Sequence, residues 1–171
     1  MKTAKNVATK KLAIQATALI ALSITSLHAF AQDKNCVTLK TEGQVEENYT
    51  DAQGKAAKRL VAPGKVLPGG EVIWTITATN GCEKAADKVV IDNAVPEHMV
   101  YVADSAMGTN TDMVFSLNGR DFKKMSELLV RDADGKTRSP RADEIKAIRW
   151  TLNAAVGAKQ SAFVRYRARV Q

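Results

Sequence analysis

Nucleophilic catalysis needs a base beside the reacting group, and this chain has few residues that could serve. Its two histidines are His28 and His98, and His98 follows Pro96-Glu97 at what reads as a strand corner. A triad would add a serine in a strained elbow, yet no Gly-x-Ser-x-Gly stretch occurs. Glu46-Glu47 and Asp143-Glu144 are paired carboxylates in polar stretches. Neither pair has the apolar setting that splits two carboxyl pKa values for general acid–base work. Asp132-Ala133-Asp134-Gly135 begins like a calcium loop, but Lys136 stands where an oxygen ligand is wanted and the closing glutamate is missing. That segment reads as an Asp-Gly hairpin turn. A sugar platform built on Trp74 and Trp150 is disfavoured, since aromatic residues make up only 5% of the chain and both Trp sit among inward-pointing neighbours. The expectation is no catalytic residue, no cofactor and no metal.

Strands must position whatever these residues do. From Glu71 to Asn80, Val72, Trp74, Ile76 and Ala78 share one face and Thr75, Thr77 and Thr79 the other, the period of a half-buried strand. The pattern recurs at Val89 and Ile91, at Met113, Phe115 and Leu117, at Ile148, Trp150 and Leu152, and from Ala162 to Val170. Pro63-Gly64, Pro68-Gly69-Gly70, Asn80-Gly81, Asn118-Gly119 and Asp134-Gly135 supply turn chemistry between the runs. Glu42 to Ala57 reads as strand ends joined by an exposed hairpin. A single helical turn is expected at Ser139–Glu144, with Ser139 as N-cap and Pro140 in the first helical position. The fold class is therefore all-β: an immunoglobulin-like antiparallel β-sandwich of about seven to nine strands. Its expected core is Trp74, Ile76, Ile91, Phe115, Ile148, Trp150, Val164 and Tyr166.

Residues 1–31 read as a secretory signal peptide: a basic start, an apolar stretch from Leu12 to Leu27, and Ala29-Phe30-Ala31 before a cut at Gln32. Gln15, Thr17, Ser23, Thr25 and Ser26 interrupt a stretch already short of the roughly 20 residues of a membrane span. No transmembrane span is expected after cleavage, and 32–171 is read as one domain. Lys2, Lys5, Lys10 and Lys11 all precede any acidic group; without these four the formal charge of +7 falls to +3. So small a surplus is no nucleic-acid footprint. Cys36 and Cys82, the only cysteines, are expected to form one disulfide in an oxidising compartment.

Pro68-Gly69-Gly70-Glu71-Val72-Ile73-Trp74-Thr75-Ile76, Thr79-Asn80-Gly81, Val90-Ile91-Asp92-Asn93-Ala94-Val95-Pro96 and Tyr101-Val102 together resemble the bacterial conserved-repeat domain, domain of unknown function 11. The continuation through Phe115 to Gly119, Asp132 to Gly135 and Ile148 to Leu152 is similar to its single-domain exported Gram-negative members, over roughly Val37 to Val170. The resemblance implies an immunoglobulin-like sandwich on an envelope protein, with no established catalytic residues to carry over. Gly157 lacks the usual preceding Pro, and the cysteine pair is not required by the family pattern. Some immunoglobulin-like surface domains crosslink Lys to Asn beside an acidic catalyst, and Lys40, Lys88, Asp92 and Asn93 supply those residue types. Asn48-Tyr49-Thr50 matches a glycosylation sequon and is read as a chance match.

The expectation is a non-enzymatic exported envelope protein, in the periplasm or on the cell surface of a Gram-negative-type bacterium, serving as a structural or interaction module. The rival readings are a pilus-associated or periplasmic chaperone-like subunit that pairs strands and, less favoured, a glycan-binding module or a small hydrolase. Arg165, Arg167 and Arg169 alternate with apolar residues along the final strand and form a candidate anion-contact strip. The expected partner is an envelope protein or an anionic envelope glycan or lipid headgroup, and not nucleic acid.

Overall fold

The computed structural model describes residues 36–171, so the signal read at residues 1–31 lies outside the described residues. The strands are β1 (Val37–Thr50), β2 (Ala56–Val61), β3 (Glu71–Asn80), β4 (Val90–Ala94), β5 (Met99–Tyr101), β6 (Met107–Gly108), β7 (Thr111–Ser116), β8 (Val130–Arg131), β9 (Thr137–Arg138), β10 (Ala147–Leu152) and β11 (Ser161–Val170). Seven of them reach five residues or more, in line with the expected count. The other four have two or three residues, too few to carry an alternation that a sequence could display.

All pairings are antiparallel. The larger sheet runs β2-β1-β3-β11-β5, with β6 also on β11; the smaller runs β4-β10-β7, and β8-β9 form a separate ribbon. Ile76, Val164 and Tyr166 from the larger sheet meet Ile91, Ile148 and Trp150 from the smaller in one buried cluster. Aromatic pairs span the layers, with Trp150 and Tyr166 centroids 6.2 Å apart and Tyr101 and Phe115 5.8 Å apart. The result is an all-β sandwich.

Of the expected core only Trp74 departs: it is half-buried. Three strands cannot cover five, and the inner face of β1 is covered only in part, Val37 packing against the core and Leu39 not. Leu39 shares the inward face of its register partner Ala78, yet Leu39 is 50% exposed and Ala78 fully buried. Trp74 lies opposite Gly43 on that poorly covered side. A Cβ on Gly43 would come within 3.3 Å of the indole, so the glycine is what lets the ring settle over the strand.

β1 is continuous from Val37 and uses both of its edges, pairing with β3 through Gln44 and with β2 from Val45 onward. The expected hairpin closes at Asp51, whose Oδ1 accepts the Gln53 and Lys55 N–H groups at 3.0 and 2.8 Å, while Gly54 takes φ +78°.

Two local expectations are corrected. The helical turn is a 3₁₀ turn at Ala142–Glu144, which leaves Pro140 ahead of it, and a second such turn lies at Met125–Glu127. Glu144 sets the start: it accepts the Arg141 N–H at 2.6 Å and both terminal nitrogens of Arg138 at 2.7 Å. These bonds, the Arg138 pair first, hold its carboxyl down at about 2. Asn80, read with Gly81 as turn chemistry, is fully buried. Its Nδ2 donates to the carbonyls of Lys84, Val156 and Gly157 at 2.8, 2.9 and 3.1 Å, and its Oδ1 accepts the Cys82 N–H at 3.0 Å. That staple presents Cys82 to Cys36, and the two form a disulfide with a Cα–Cα distance of 5.3 Å.

Candidate functional site on the outer face of the larger sheet

Antiparallel register places β11 residues Arg165, Arg167 and Arg169 beside β3 residues Thr75, Ile73 and Glu71, all on the outward face. The three guanidiniums are not equivalent. Arg169 donates from Nη2 to Glu71 Oε1 at 2.8 Å, and Arg167 from Nη2 to Glu46 Oε1 at 2.6 Å. Arg165 uses only Nε, on Thr75 Oγ1 at 3.0 Å, and meets no carboxylate among the described residues. Two-thirds of the strip read from the sequence is thus neutralised within the fold, which leaves one open cation rather than a rail for a polyanion.

Glu46 comes from β1, on the stretch that pairs with β2 beyond the start of β3. Its carboxyl is held below the ordinary value of 4.5 by Arg167 first and then by Lys58, whose Nζ lies 3.2 Å away. Between this hairpin and β6 a cleft of about 240 Å³ opens over Ile73. Alternation assigns Ile73 to the outward face, yet it is 3% exposed. Leu60 and Met107 line the same cleft with the side chains of Arg165 and Arg167, so a hydrophobic floor lies under a charged rim.

The outer face of the smaller sheet is built differently. Arg149 on β10 grips Asp92 on β4 with two bonds, Nε to Oδ1 at 2.6 Å and Nη2 to Oδ2 at 2.7 Å. Phe122 lies over the guanidinium, its ring centroid 4.0 Å from the Arg149 carbon.

The remaining residues singled out by type are dispersed. His98 sits exposed in the turn between β4 and β5 with φ 61°. The set with crosslinking chemistry is not assembled: Lys40 pairs with Glu42, Asp92 with Arg149, and Asn93 donates to the Tyr166 hydroxyl at 2.8 Å. Asp132 to Gly135 is the turn of the β8-β9 ribbon, where the Gly135 N–H bonds the Asp132 carbonyl at 2.9 Å and Arg138 holds the Asp132 carboxylate. Neither Glu46 nor the apolar floor was readable as part of a site. Glu46 lies 121 residues from Arg167 in sequence, and no local pattern signals such a pairing. No family model, no curated protein and no solved structure matches this chain.

Proposed function

We propose that this chain is an exported, non-enzymatic envelope protein whose immunoglobulin-like sandwich works by contact, in the manner that its resemblance to the bacterial conserved-repeat domain implies. The observation that carries the reading is the uncovered outer face of the larger sheet. There Phe163 is 54% and Met107 55% exposed, on either side of a guanidinium with no carboxylate partner among the described residues. Exposed apolar side chains beside an uncommitted Arg are the usual anchors of protein contacts. The Cys36–Cys82 disulfide supports the compartment, because lasting disulfides belong to oxidising surroundings.

Strand pairing with a partner is the reading set aside. The side of β1 away from β3 is unpaired from Val37 to Gly43 among the described residues, but Lys40 and Glu42 project from that stretch. Charged residues on an edge are the standard device against strand addition.

Fractionation of the native host followed by affinity capture from envelope extract tests the proposal. The expected result is a protein found outside the cytoplasm that starts at Gln32 and captures a partner. Capture should be abolished by Phe163→Asp and retained by Val90→Asp on the other sheet. A cytoplasmic protein, or capture indifferent to Phe163, would overturn it.

A further inference from the structure

We infer that the cleft over Ile73 is a binding site for a single carboxylate carried on a short apolar body. The inference rests on reading this face as a contact surface and adds the chemistry of what it accepts.

Charge comes first. Five cations surround the cleft region, and four already hold carboxylates: Lys58 and Arg167 share Glu46, Arg59 holds Glu47, and Arg169 holds Glu71. Arg165 alone is open, with Thr75 fixing its Nε and leaving the fork of terminal nitrogens for a ligand. Such a fork matches a carboxylate through two parallel bonds. A second negative charge on the ligand would meet the ionised Glu46 across the cleft and find no other unpaired guanidinium, so a monoanion fits better than a phosphate dianion.

The floor decides the rest. Ile73 has an almost fully covered side chain on a face that alternation sends to solvent, and Leu60 and Met107 extend the apolar surface around it. A ligand made only of charge would leave that surface unused. At about 240 Å³ the cleft is smaller than the sites that take drug-sized ligands, which limits the body to a short aliphatic group or one side chain. Two sources share this chemistry: a free small carboxylic acid, and the C-terminal carboxylate of a peptide ending in an apolar residue.

Methyl-detected NMR titration of the purified protein with hexanoate, hexanamide and hexyl phosphate at fixed ionic strength tests the inference. Shifts centred on Ile73, Leu60 and Met107 are expected, with hexanoate preferred to its neutral amide by about tenfold or more, the usual worth of a charge-assisted pair. Arg165→Gln should abolish that preference without changing the melting temperature or the weak hexanamide binding, and Arg149→Gln should leave the preference for hexanoate intact. A tetrapeptide ending in leucine, with and without a free carboxylate, separates the two sources. Equal affinity for hexanoate and hexanamide, tighter binding of hexyl phosphate, or indifference to Arg165→Gln would overturn the inference. Each of those results would leave Phe163-dependent capture standing, so the two proposals fail separately.

Discussion

Arg149 and Arg165 stand at comparable places, outward-facing on a strand flanked by neighbours on both sides, one on each sheet. Arg149 is saturated by a forked carboxylate and an aromatic lid at 4.0 Å, whereas Arg165 has a single hydroxyl and the more distant Phe163 ring at 5.7 Å, with no carboxylate among the described residues. The inner faces differ in the same sense. The smaller sheet buries Trp150 completely, while the larger leaves Trp74 only partly buried because it is wider than its cover. The smaller sheet is thus the more completely covered on its inner face and the more completely paired at its outward arginine. Which arginine stays open therefore follows from what adjacent strands leave unpaired, and not from the charge count of a strand.

The sharpest way to break that contrast is to truncate the two indoles. Trp150→Ala should lower unfolding free energy by about 3–5 kcal/mol, and Trp74→Ala by only about 2 kcal/mol, since less of its surface is removed from water. Urea denaturation checks both, and equal losses would mean that the sheets are equally covered. Next, replacing Cys36 and Cys82 together with serine should remove about 2–4 kcal/mol, the range for a bridge closing 46 residues. Amide exchange should then accelerate along the β1–β3 ladder while Ile91 and Trp150 in the smaller sheet stay the more protected. Uniform acceleration would contradict the division.

Acid sharpens the comparison on the open face. Glu46 has a lowered pKa, so the ion pairs it makes stabilise the fold fully above about pH 4.5 and are lost as pH falls through its folded value. Protonation releases Arg167 and Lys58 and makes the face more cationic. Carboxyl carbon NMR should show Glu46 titrating below 4.5, and moving back toward 4.5 in Arg167→Gln, while Glu144 titrates at about 2 in both proteins. The smallest effect is expected from the two arginines themselves. Arg149→Gln should lower the melting temperature slightly, because Asp92 loses a two-bond partner, and Arg165→Gln should leave it unchanged. A reversed order would show that the Thr75 bond matters more than the fork.

The antiparallel all-β architecture was legible because five strands advertise it by alternation, and the inward faces of β4, β10 and β11 hold the residues expected there. What escaped depends on contacts between distant segments. Asn80 beside a glycine has the signature of a turn; only loops from Lys84 and from Val156 to Gly157 turn its amide into a buried staple. Ile73 belongs by alternation to the solvent side, yet it is buried at a cleft that it lines together with Leu60 and Met107, which lie on other strands. The arginine strip was visible as a strip, but the carboxylates that occupy two of its members come from β1 and β3.

The arrangement of β1, β3 and β11 also fixes how the fold answers a mechanical load. β1 and β11 flank β3 and both run against it, with Val37 opposite Asn80 and Arg169 opposite Glu71. The start of β1 and the end of β11 therefore lie at opposite ends of the same ladder. With the Cys36–Cys82 bond closed, tension applied between Val37 and Val170 passes to the end of β3 and shears the β3–β11 ladder along its length, so its hydrogen bonds must yield together instead of unzipping in turn. The Cys36–Cys82 bond adds a limit to extension. It encloses 46 residues, and roughly 150 Å of chain stays unavailable to stretching until the bond is reduced, which makes the extensibility of this domain a property set by redox state.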